Sequence, residues 1–346
     1  LQGLHHFSLT GTPIENSLAD LWSIMDFCLP GYLHKWRQFR HLYEIPITRY
    51  DDKQRLEQLK KQIAPFVLRR VKSEVLTELP DKIDTVLYCD LSDEERRIYH
   101  TQLALSHKTF IEEISTRPQG QSRMLVLTLL MRLRQICCSP ALFLDGFDKP
   151  SSKITMCLSL IEECAQAGHQ MLIFSQFTSV LDMLEPELEA RGIRYLTLTG
   201  KTKSAERMQL VNQFNEEDIP VFLISLKAGG IGLNLTSADT VIHFDPWWNQ
   251  SVENQATDRT HRIGQKNSVH VIRLITKNTI EEKILRLKER KQALSDAVIT
   301  SEDGMIQALT MDDITDLFAL DYNDLSNLAP APRPTRGPIV MESDKY

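Results

Sequence analysis

The sequence lacks the patterns that identify metal proteins, disulfide scaffolds and membrane proteins. Its six cysteines include no C-x-x-C pair and have no histidine or cysteine partner at zinc spacing, which argues against a metal site and a disulfide framework. No apolar stretch approaches membrane-spanning length, and the first residues lack the charged start and apolar run of a signal peptide. We therefore expect an intracellular, soluble protein with reduced cysteines, no metal ligands in this sequence and no membrane partner.

The body of the chain also lacks an excess of charge of either sign. The formal net charge is −6, but residues 301–346 contain nine acidic and three basic side chains, so residues 1–300 are balanced. The acidity is therefore a property of the C-terminal tail. A neutral body leaves room for a basic groove on one face, which the composition neither shows nor excludes.

A phosphate-binding lysine loop is absent as well. The sequence contains no G-x-x-x-x-G-K-[ST] loop and no Asp-Glu-x-His segment, which hold the phosphates and the Mg²⁺ ion in P-loop nucleotide hydrolases. The stretch TGKTKS at 199–204 imitates the end of such a loop, but Tyr195 stands where the first glycine is required. Thr202 and Lys203 are better suited to contact a nucleic-acid backbone.

From Ser151 onward, short apolar strands alternate regularly with helical patterns. The predicted strands are Met171–Ser175, Tyr195–Leu198, Val221–Ser225, Thr240–Phe244 and Val269–Ile275. The predicted helices are Ile154–Ala167, Thr178–Ala190, Ala205–Phe214, Asn249–His261 and Ile280–Val298. Repeated strand-helix units of this kind are typical of a parallel sheet covered by helices on both faces.

The segments on either side of this alternation are organised differently. Before it, two helices are predicted at Asn16–Phe27 and Leu56–Ile63. A basic connector with a Leu-Pro stop follows at Phe66–Lys82. A pair of helices comes next, Ser92–Ile114 and Met124–Ile136, joined by a loop at Thr116–Ser122. After the alternation, the acidic, proline-rich end favours partial disorder. A buried-strand pattern within the first ten residues predicts a sequence truncated at its N-terminus.

The run DRTHRIGQ carries the most informative chemistry of the chain. It follows a predicted buried strand, and the spacing i, i+4, i+7 places Gln255, Arg259 and Arg262 on one face of the predicted helix. Ligands of open parallel sheets bind outside the carboxyl ends of the strands, so we expect the arginines to meet a phosphate at that edge. Taken alone, the run fits better an ordinary solvated face with an Asp258–Arg262 ion pair.

The segment LTGTPIEN near the start is a second candidate for phosphate contact. A predicted strand ends there in Thr10, Gly11 and Thr12, whose hydroxyls and backbone amides suit an anion. The competing interpretation is a simple turn from a strand into a helix.

The segment ISLKAGGIGLNL at 224–235 is the third candidate. Gly230 and Gly232 allow a close approach of the backbone to a ligand, and Ser225 and Lys227 precede them. The segment fails as a dinucleotide fingerprint because a third glycine and an acidic ribose partner are missing. Backbone contact with a phosphate is the better interpretation.

Five strings in this order resemble Swi/Snf-type DNA-dependent ATPases of helicase superfamily two. The strings LTGTPIEN, MLIFSQF, LTLTGKTKSAER, ISLKAGGIGLNLTSADTVIHFDPWWN and QATDRTHRIGQ are similar to motif III, motif IV, the segment after it, motif V and motif VI. The resemblance covers roughly residues 1–320, including LRRVKSEVLTELPDK in the connector and the helical insertion. Thr260 stands where the family usually has alanine, which leaves both arginines in register.

The resemblance implies a RecA-like P-loop NTPase fold, with two lobes facing each other across ATP and duplex DNA lying across both. Gln255, Arg259 and Arg262 would face the ATP phosphates, with the two arginines as arginine fingers. The further residues beside the nucleotide or coupling the lobes would be Gly230, Gly232, Thr10, Gly11 and Thr12. The residues that track the DNA backbone would be Ser225, Lys227, Thr202 and Lys203.

The domain organisation implied by the resemblance is the end of lobe one followed by lobe two. The predicted parts are 1–65 (lobe one), 66–90 (connector), 91–150 (helical insertion), 151–278 (lobe two), 279–300 (brace helix) and 301–346 (acidic, partly disordered tail). ATP and Mg²⁺ are the implied cofactors, with the Mg²⁺ ligands expected in a missing N-terminal part, so this chain alone should not hydrolyse ATP.

The implied activity is translocation on double-stranded DNA with displacement of DNA-bound proteins and without strand separation. We expect a bacterial, nucleoid-associated cytoplasmic protein, or a nuclear one in a eukaryote. Two alternatives stay open: a non-catalytic nucleic-acid-binding or regulatory module, and an RNA-directed superfamily-two helicase in which Trp247 and Trp248 stack bases. Half-buried aromatics closing a sheet are the commoner explanation of that pair.

Overall fold

The computed structural model describes residues 3, 5–9, 18–50, 52–68, 76, 79–114, 119–228, 233–246, 250–295 and 311–319. The chain divides into two compact units. The first consists mainly of residues before Leu79, and the second runs mainly from Leu79 to Leu287 and includes the segment from Met311.

The first unit is helical. Its elements are α1 (Leu18–Cys28), α2 (Trp36–Phe39), a π-helical turn (Arg40–Glu44), α3 (Ile45–Tyr50), α4 (Lys53–Ile63) and a 3₁₀ turn (Ala64–Phe66). Asp52 caps α4 by accepting a hydrogen bond from the Arg55 amide (3.0 Å), because the first amides of a helix have no partner within it. Both helices predicted in this region are confirmed: α1 ends one residue later than predicted, and α4 begins three residues earlier and ends at Ile63 as predicted.

The second unit contains one parallel sheet of six strands. The strands are β1 (Lys82–Cys89), β2 (Met171–Ser175), β3 (Tyr195–Leu198), β4 (Val221–Ser225), β5 (Thr240–His243) and β6 (Val269–Thr276). Their order across the sheet is β1-β6-β5-β2-β4-β3, and every neighbouring pair is parallel. The predicted parallel sheet is confirmed.

The remaining helices belong to this unit in whole or in part, with α10 and α11 divided between the two units. They are α5 (Asp93–Ile114), α6 (Gln119–Cys138), α7 (Ser152–Gln166), α8 (Thr178–Ala190), α9 (Ser204–Glu216), α10 (Gln250–Thr257), α11 (Ile280–Ser295) and α12 (Met311–Phe318). The loop predicted at 116–122 is wrong from Gln119 onward, where α6 has already begun. The preceding residues of that loop lie outside the described part.

Helices cover both faces of the sheet, and alternate residues of each strand point to opposite faces. Leu172 and Phe174 of β2 pack in a cluster with side chains of α9 and α10, whereas Met171 and Ile173 pack in a second cluster with side chains of α7 and α8. Strands β2, β4 and β5 are buried along their whole length. Apart from Ser175, Ser225, Thr240 and His243 at the strand ends, their residues are apolar, as expected for central strands of a parallel sheet.

Strand β1 is the main element that the sequence did not indicate, because it falls within the predicted connector. It lies at the edge of the sheet, and most of its residues are exposed. Lys82 and Asp84 form an ion pair there, and Asp84 is paired again with Arg273 of β6 (2.8 Å). Charged side chains protect an edge strand from pairing with other chains, and they also remove the apolar pattern by which a strand is identified.

The C-terminal tail contains a helix that composition did not predict. In α12, the side chains of Ile314, Leu317 and Phe318 are buried, and Phe318 stacks on Phe110 of α5 (ring centroids 5.3 Å apart). The Ala319 carbonyl also accepts a hydrogen bond from Lys283 of α11 (2.7 Å). Residues 320–346, which include the most proline-rich part, lie outside the described residues.

Candidate functional site

The arginine segment does not continue the helix as predicted. Helix α10 ends at Thr257, so Gln255 lies in its last turn, whereas Arg259 and Arg262 follow it in a series of turns. The amides of Arg259 and Thr260 bond three residues back, and the amide of Arg262 bonds only two residues back. The expectation that Gln255, Arg259 and Arg262 share one helical face is therefore wrong.

The position of this segment also differs from the prediction. The Leu235 amide donates to the Arg259 carbonyl (3.0 Å), and Nε2 of His261 donates to the Pro80 carbonyl (2.9 Å). Leu235 and Pro80 precede β5 and β1 respectively, so the arginine segment lies beside the amino ends of the strands and not beyond their carboxyl ends.

The geometry of a strand followed by a helix explains this difference. A helix after a parallel strand runs back along it, and the eight residues of α10 rise about 12 Å while the four residues of β5 span about 13 Å. The end of α10 therefore returns nearly to the level at which β5 began. The rule that ligands bind at carboxyl ends applies to the loop before α10, not to the residues after it.

Gln265 holds the arginine segment in its turned conformation. Its amide nitrogen donates to the carbonyls of Thr236 (3.2 Å) and Ala238 (2.7 Å), and its amide oxygen accepts from the amides of Lys266 and Asn267 (2.9 Å each). The preceding Gly264 has φ +106°, a conformation that side chains with a Cβ rarely adopt. The final Gly-Gln of DRTHRIGQ thus shapes the turn.

We expect Gln265→Glu to loosen this turn. The glutamate keeps an oxygen that can accept from the Lys266 and Asn267 amides, but its second oxygen replaces the donor and faces the carbonyls of Thr236, Ala238 and Thr260. This should lower the free energy of local opening by about 1–3 kcal/mol. Hydrogen exchange of the Leu235 amide measures this opening. Gln209→Glu, on the exposed surface of α9, is the matched control; equal exchange rates in both variants would contradict the assigned role.

The electrostatics of the segment are those of two cations held near one another. The Arg259 side chain is buried, and its burial, followed by the positive charge of Arg262, lowers the pKa of its guanidinium, while Asp258 acts in the opposite direction. Arg262 is exposed. Because guanidinium groups stay charged in proteins, an anion near both arginines would relieve their repulsion.

Side chains of neighbouring strands bind α10, the helix that precedes the arginine segment. His243 of β5 is hydrogen bonded to the hydroxyl of Thr257 (3.1 Å). The buried Glu253 is paired with Arg273 of β6 (3.4 Å), which also binds Asp84 of β1. The helix is therefore tied to both β5 and β6, and through Arg273 to the edge strand.

The residues predicted to contact DNA lie at the carboxyl ends of the strands, opposite to the arginine segment at the amino ends. Ser225 ends β4 and Lys227 follows it, while Thr202 and Lys203 follow the neighbouring strand β3. Lys227 and Lys203 are exposed. Ser225 is buried, and the Thr202 hydroxyl accepts from the Thr199 amide (3.1 Å), so these two residues shape the loops that present the lysines.

Several predicted residues lie outside the described part of the chain. These are Thr10, Gly11, Thr12, Gly230, Gly232 and the pair Trp247 and Trp248. Their assigned roles stay predictions.

Sequence reasoning missed a buried ion pair at the carboxyl edge. Arg134 of α6 and Asp245, which follows β5, are fully buried, and their side chains are 3.2 Å apart. Asp245 also accepts from the Ser175 hydroxyl (2.6 Å) and the Gln176 amide (3.1 Å). Burial raises the pKa of Asp245, and the Arg134 charge opposes that shift. The sequence offered little signal for it, because α6 contains three arginines and only the register of Arg134 with the apolar Leu130, Leu133 and Cys138 distinguishes it from the others.

The described ranges hold no group of three or more His, Cys, Asp or Glu side chains that could bind a metal ion. No helix among them is long and apolar enough to cross a membrane.

Comparison with known proteins identifies the fold and the family. Residues 1–142 match the SNF2-related domain family, and residues 152–264 match the helicase conserved C-terminal domain family. The chain is 42% identical to the Bacillus subtilis protein called putative ATP-dependent helicase/translocase YwqA, over 92% of this chain and 35% of that protein.

Two solved structures from Sulfolobus solfataricus extend the comparison. The SWI2/SNF2 ATPase C-terminal domain is 31% identical with a TM-score of 0.57, covering 68% of this chain and 98% of that one. The SWI2/SNF2 ATPase core in complex with dsDNA is 35% identical with a TM-score of 0.60, covering 90% of this chain and 66% of that one.

The helix-covered parallel sheet with its arginine segment is thus the RecA-like fold of a helicase core. The chain belongs to the SWI2/SNF2 family of ATP-dependent helicases. The family predicted from the motifs is confirmed. The chain spans 30–35% of the length of the first three curated relatives that it matches.

Proposed function

We propose that this chain is the second-lobe part of an ATP-dependent translocase that moves along double-stranded DNA. Residues 151–278 form the second lobe in this assignment, 1–65 the end of the first lobe, 66–90 the connector, 91–150 the insertion and 279–300 the brace helix. Residues of the longer protein would hold the ATP phosphates and Mg²⁺, since this sequence lacks the lysine loop that does so elsewhere.

In this proposal Arg259 and Arg262 act on ATP as arginine fingers. Charge spreads over the oxygens of a phosphoryl group during transfer, and a planar guanidinium stabilises it by charge and by paired hydrogen bonds. Gln255, in the last turn of α10, would orient groups beside the same phosphates, and Gly230 and Gly232 would approach the nucleotide.

One observation carries this proposal. Burial and the neighbouring Arg262 charge both disfavour the Arg259 cation, yet the turn that holds these residues together is fixed by hydrogen bonds of Gln265 and by contacts of α10. A rigid turn that keeps two cations near each other is arranged for an anion. If the two arginines were only part of a solvated helix face, neither the burial of Arg259 nor the hydrogen bonds that hold the turn would be needed.

DNA would bind at the carboxyl ends of the strands, through Lys227 and Lys203. The Sulfolobus relative bound to dsDNA supports duplex DNA as the partner. Each lysine would bind the backbone phosphates by its charge and would not contact the bases. Binding of DNA would therefore depend strongly on salt concentration and little on base sequence. The protein would displace DNA-bound proteins as it moves, in the bacterial cytoplasm or, in a eukaryote, the nucleus.

The test is an ATPase assay on the full-length protein with duplex DNA, single-stranded DNA or RNA. We expect stimulation by duplex DNA above all. Lys203→Ala/Lys227→Ala should raise the duplex concentration needed for half-maximal stimulation and reduce the salt slope by about one per lysine, with kcat at saturating DNA unchanged. Lys283→Ala is the control, because Lys283 is distant in sequence from both lysines and donates a hydrogen bond to the Ala319 carbonyl.

Three outcomes of that assay would contradict the proposal. An absence of ATP hydrolysis with any nucleic acid would favour a non-catalytic binding module. Stimulation by RNA alone would favour an RNA-directed helicase. A Lys203→Ala/Lys227→Ala variant with unchanged salt dependence would remove the two lysines from the DNA surface.

A further inference from the structure

The middle of the arginine segment is bound to the loop before β1 by the side chain of His261. Nε2 of this residue donates to the Pro80 carbonyl (2.9 Å). A carbonyl oxygen only accepts hydrogen bonds, so this ring nitrogen carries the proton. The ring is partly buried. His261 therefore makes a directed bond directly beside Arg262, the exposed arginine that is proposed to act on ATP.

The Pro80 carbonyl is a fixed point of the sheet. The next residue, Asp81, accepts a hydrogen bond on its carbonyl from the Val269 amide of β6 (2.9 Å). From Lys82 onward, β1 pairs with β6 in register. The proline ring also restricts the backbone of residue 80 itself. The acceptor of the His261 bond is thus positioned by the edge of the sheet.

The arginine segment is also bound near both of its ends, and both contacts reach a single loop. Near its start, the Arg259 carbonyl accepts from the Leu235 amide (3.0 Å), and at its end Gln265 donates to the Thr236 carbonyl (3.2 Å). Leu235 and Thr236 belong to the loop before β5. Two ends held by one loop leave the middle of the segment, which carries Arg262, free to swing about the line that joins them.

The contact with Pro80 lies away from that line. Strand β6 is between β5 and β1, and neighbouring strands are about 4.8 Å apart, so the amino ends of β5 and β1 are roughly 10 Å apart. His261 therefore holds the middle of the segment from the other side of β6. Three contacts that do not lie on one line fix the orientation of a turn, whereas two allow it to rotate.

We propose that His261 is a positioning residue, which sets the direction of Arg262 by holding the middle of the segment against the loop before β1. This inference rests on the proposed function of Arg262 as an arginine finger. Because the Arg262 side chain is exposed, its direction follows from the backbone that carries it and not from packing. A misplacement of a catalytic group by about 1 Å costs up to about 100-fold in rate, so a small swing is enough to be measured.

The test compares His261→Asn with His261→Gln in the full-length protein, measured as kcat and ATP KM with saturating duplex DNA. The amide nitrogen of glutamine is the same number of bonds from Cα as Nε2 of histidine, so it can reach the Pro80 carbonyl, whereas the shorter asparagine cannot. We expect His261→Asn to lower kcat about 10- to 100-fold with ATP KM nearly unchanged, as for a misplaced catalytic group. His261→Gln should stay within a few-fold of the parent.

His270→Asn is the matched control, because His270 is an exposed histidine at the amino end of β6. It should retain the parent kcat. Hydrogen exchange of the β2, β4 and β5 amides should be the same in His261→Asn as in the parent, which separates misplacement of Arg262 from a general loss of stability. Combining His261→Asn with Arg262→Ala should give the kcat of Arg262→Ala alone, because the histidine acts through that arginine.

The outcomes separate this inference from the proposed function. If Arg262→Ala loses activity but His261→Asn does not, or if the two losses multiply, only the positioning role is wrong. It is also wrong if His261→Gln or His270→Asn loses as much as His261→Asn, or if the central strands exchange faster in His261→Asn. If Arg262→Ala alone retains the parent kcat, the arginine-finger proposal fails, and the positioning role fails with it.

Discussion

Replacing Arg262 by alanine in the full-length protein is expected to lower kcat for duplex-stimulated ATP hydrolysis by about 10³-fold or more, the range measured for arginine fingers. The loss should appear in kcat, with a small change in ATP KM, because the guanidinium contributes most when charge spreads during phosphoryl transfer. Release of labelled phosphate measures both constants.

The expected effect of Arg262→Ala is local, because the Arg262 side chain is exposed. Removing it also removes one of the causes that lower the pKa of Arg259, so the fold should be at least as stable. Arg194→Ala is the matched control, since Arg194 is an exposed arginine of the same unit, paired with Glu217. It should retain the parent kcat.

An Arg262→Ala protein that hydrolyses ATP within a few-fold of the parent would remove the arginine-finger role. A loss confined to ATP KM would point instead to ground-state binding of the nucleotide. Equal losses in the Arg262 and Arg194 variants would indicate a general effect of surface charge on DNA binding.

Replacing Lys153 by methionine is expected to destabilise the second unit by about 3–5 kcal/mol, as for other buried pairs that lose one partner. Nζ of Lys153 lies 2.7 and 2.6 Å from the two carboxylate oxygens of Glu281, and both side chains are fully buried. Burial acts to lower the pKa of Lys153, but the charge and hydrogen bond of Glu281, together with Cys138 and Cys137, act in the opposite direction, and the pKa is raised above its usual value.

The cost arises from the carboxylate that remains. Glu281 would retain a hydrogen bond from the Thr276 amide (2.8 Å), but its charge would be buried without a cation bonded to it. Lys153 also lies over the ring of Phe244, 5.3 Å from its centroid, so a methionine there keeps most of the packing. The loss is therefore mainly electrostatic.

Hydrogen exchange of the β5 and β6 amides measures this loss without assuming that both units unfold together. Lys153→Met/Glu281→Met, which removes both charges, should recover most of the protection. A single variant as stable as the parent would contradict the expected loss, and a double variant less stable than the single one would show that the unpaired Glu281 charge is not its cause.

Much of the second unit could be predicted from local pattern alone. The bounds of β2, β3, β4 and α8 agree with those expected from the sequence. A central parallel strand is buried on both faces and therefore appears as an uninterrupted apolar run, which loops on either side delimit sharply. The motifs were also sufficient to identify the family, because their order depends only on the sequence.

Other features depend on partners distant in sequence. Strand β1 exists because its backbone pairs with β6, whose residues lie far along the chain, and its charged side chains conceal it. Helix α12 forms where Phe318 meets Phe110, although the tail as a whole has a composition typical of disorder. Burial against a neighbour overrides propensity in both cases.

For the candidate site, the sequence by itself indicated which residues are proposed to carry the chemistry: two arginines, a glycine-rich loop and two lysines after strands. Only the tertiary structure decided where the arginines and the lysines lie. The arginines left the helix and reached the amino edge because α10 runs back along β5 and because Gln265 and Gly264 close a turn. Arg134 met Asp245 because α6 packs beside the loop after β5. Spacing along a chain specifies neighbours within one element, whereas the positions of separate elements are set by the core that they bury together.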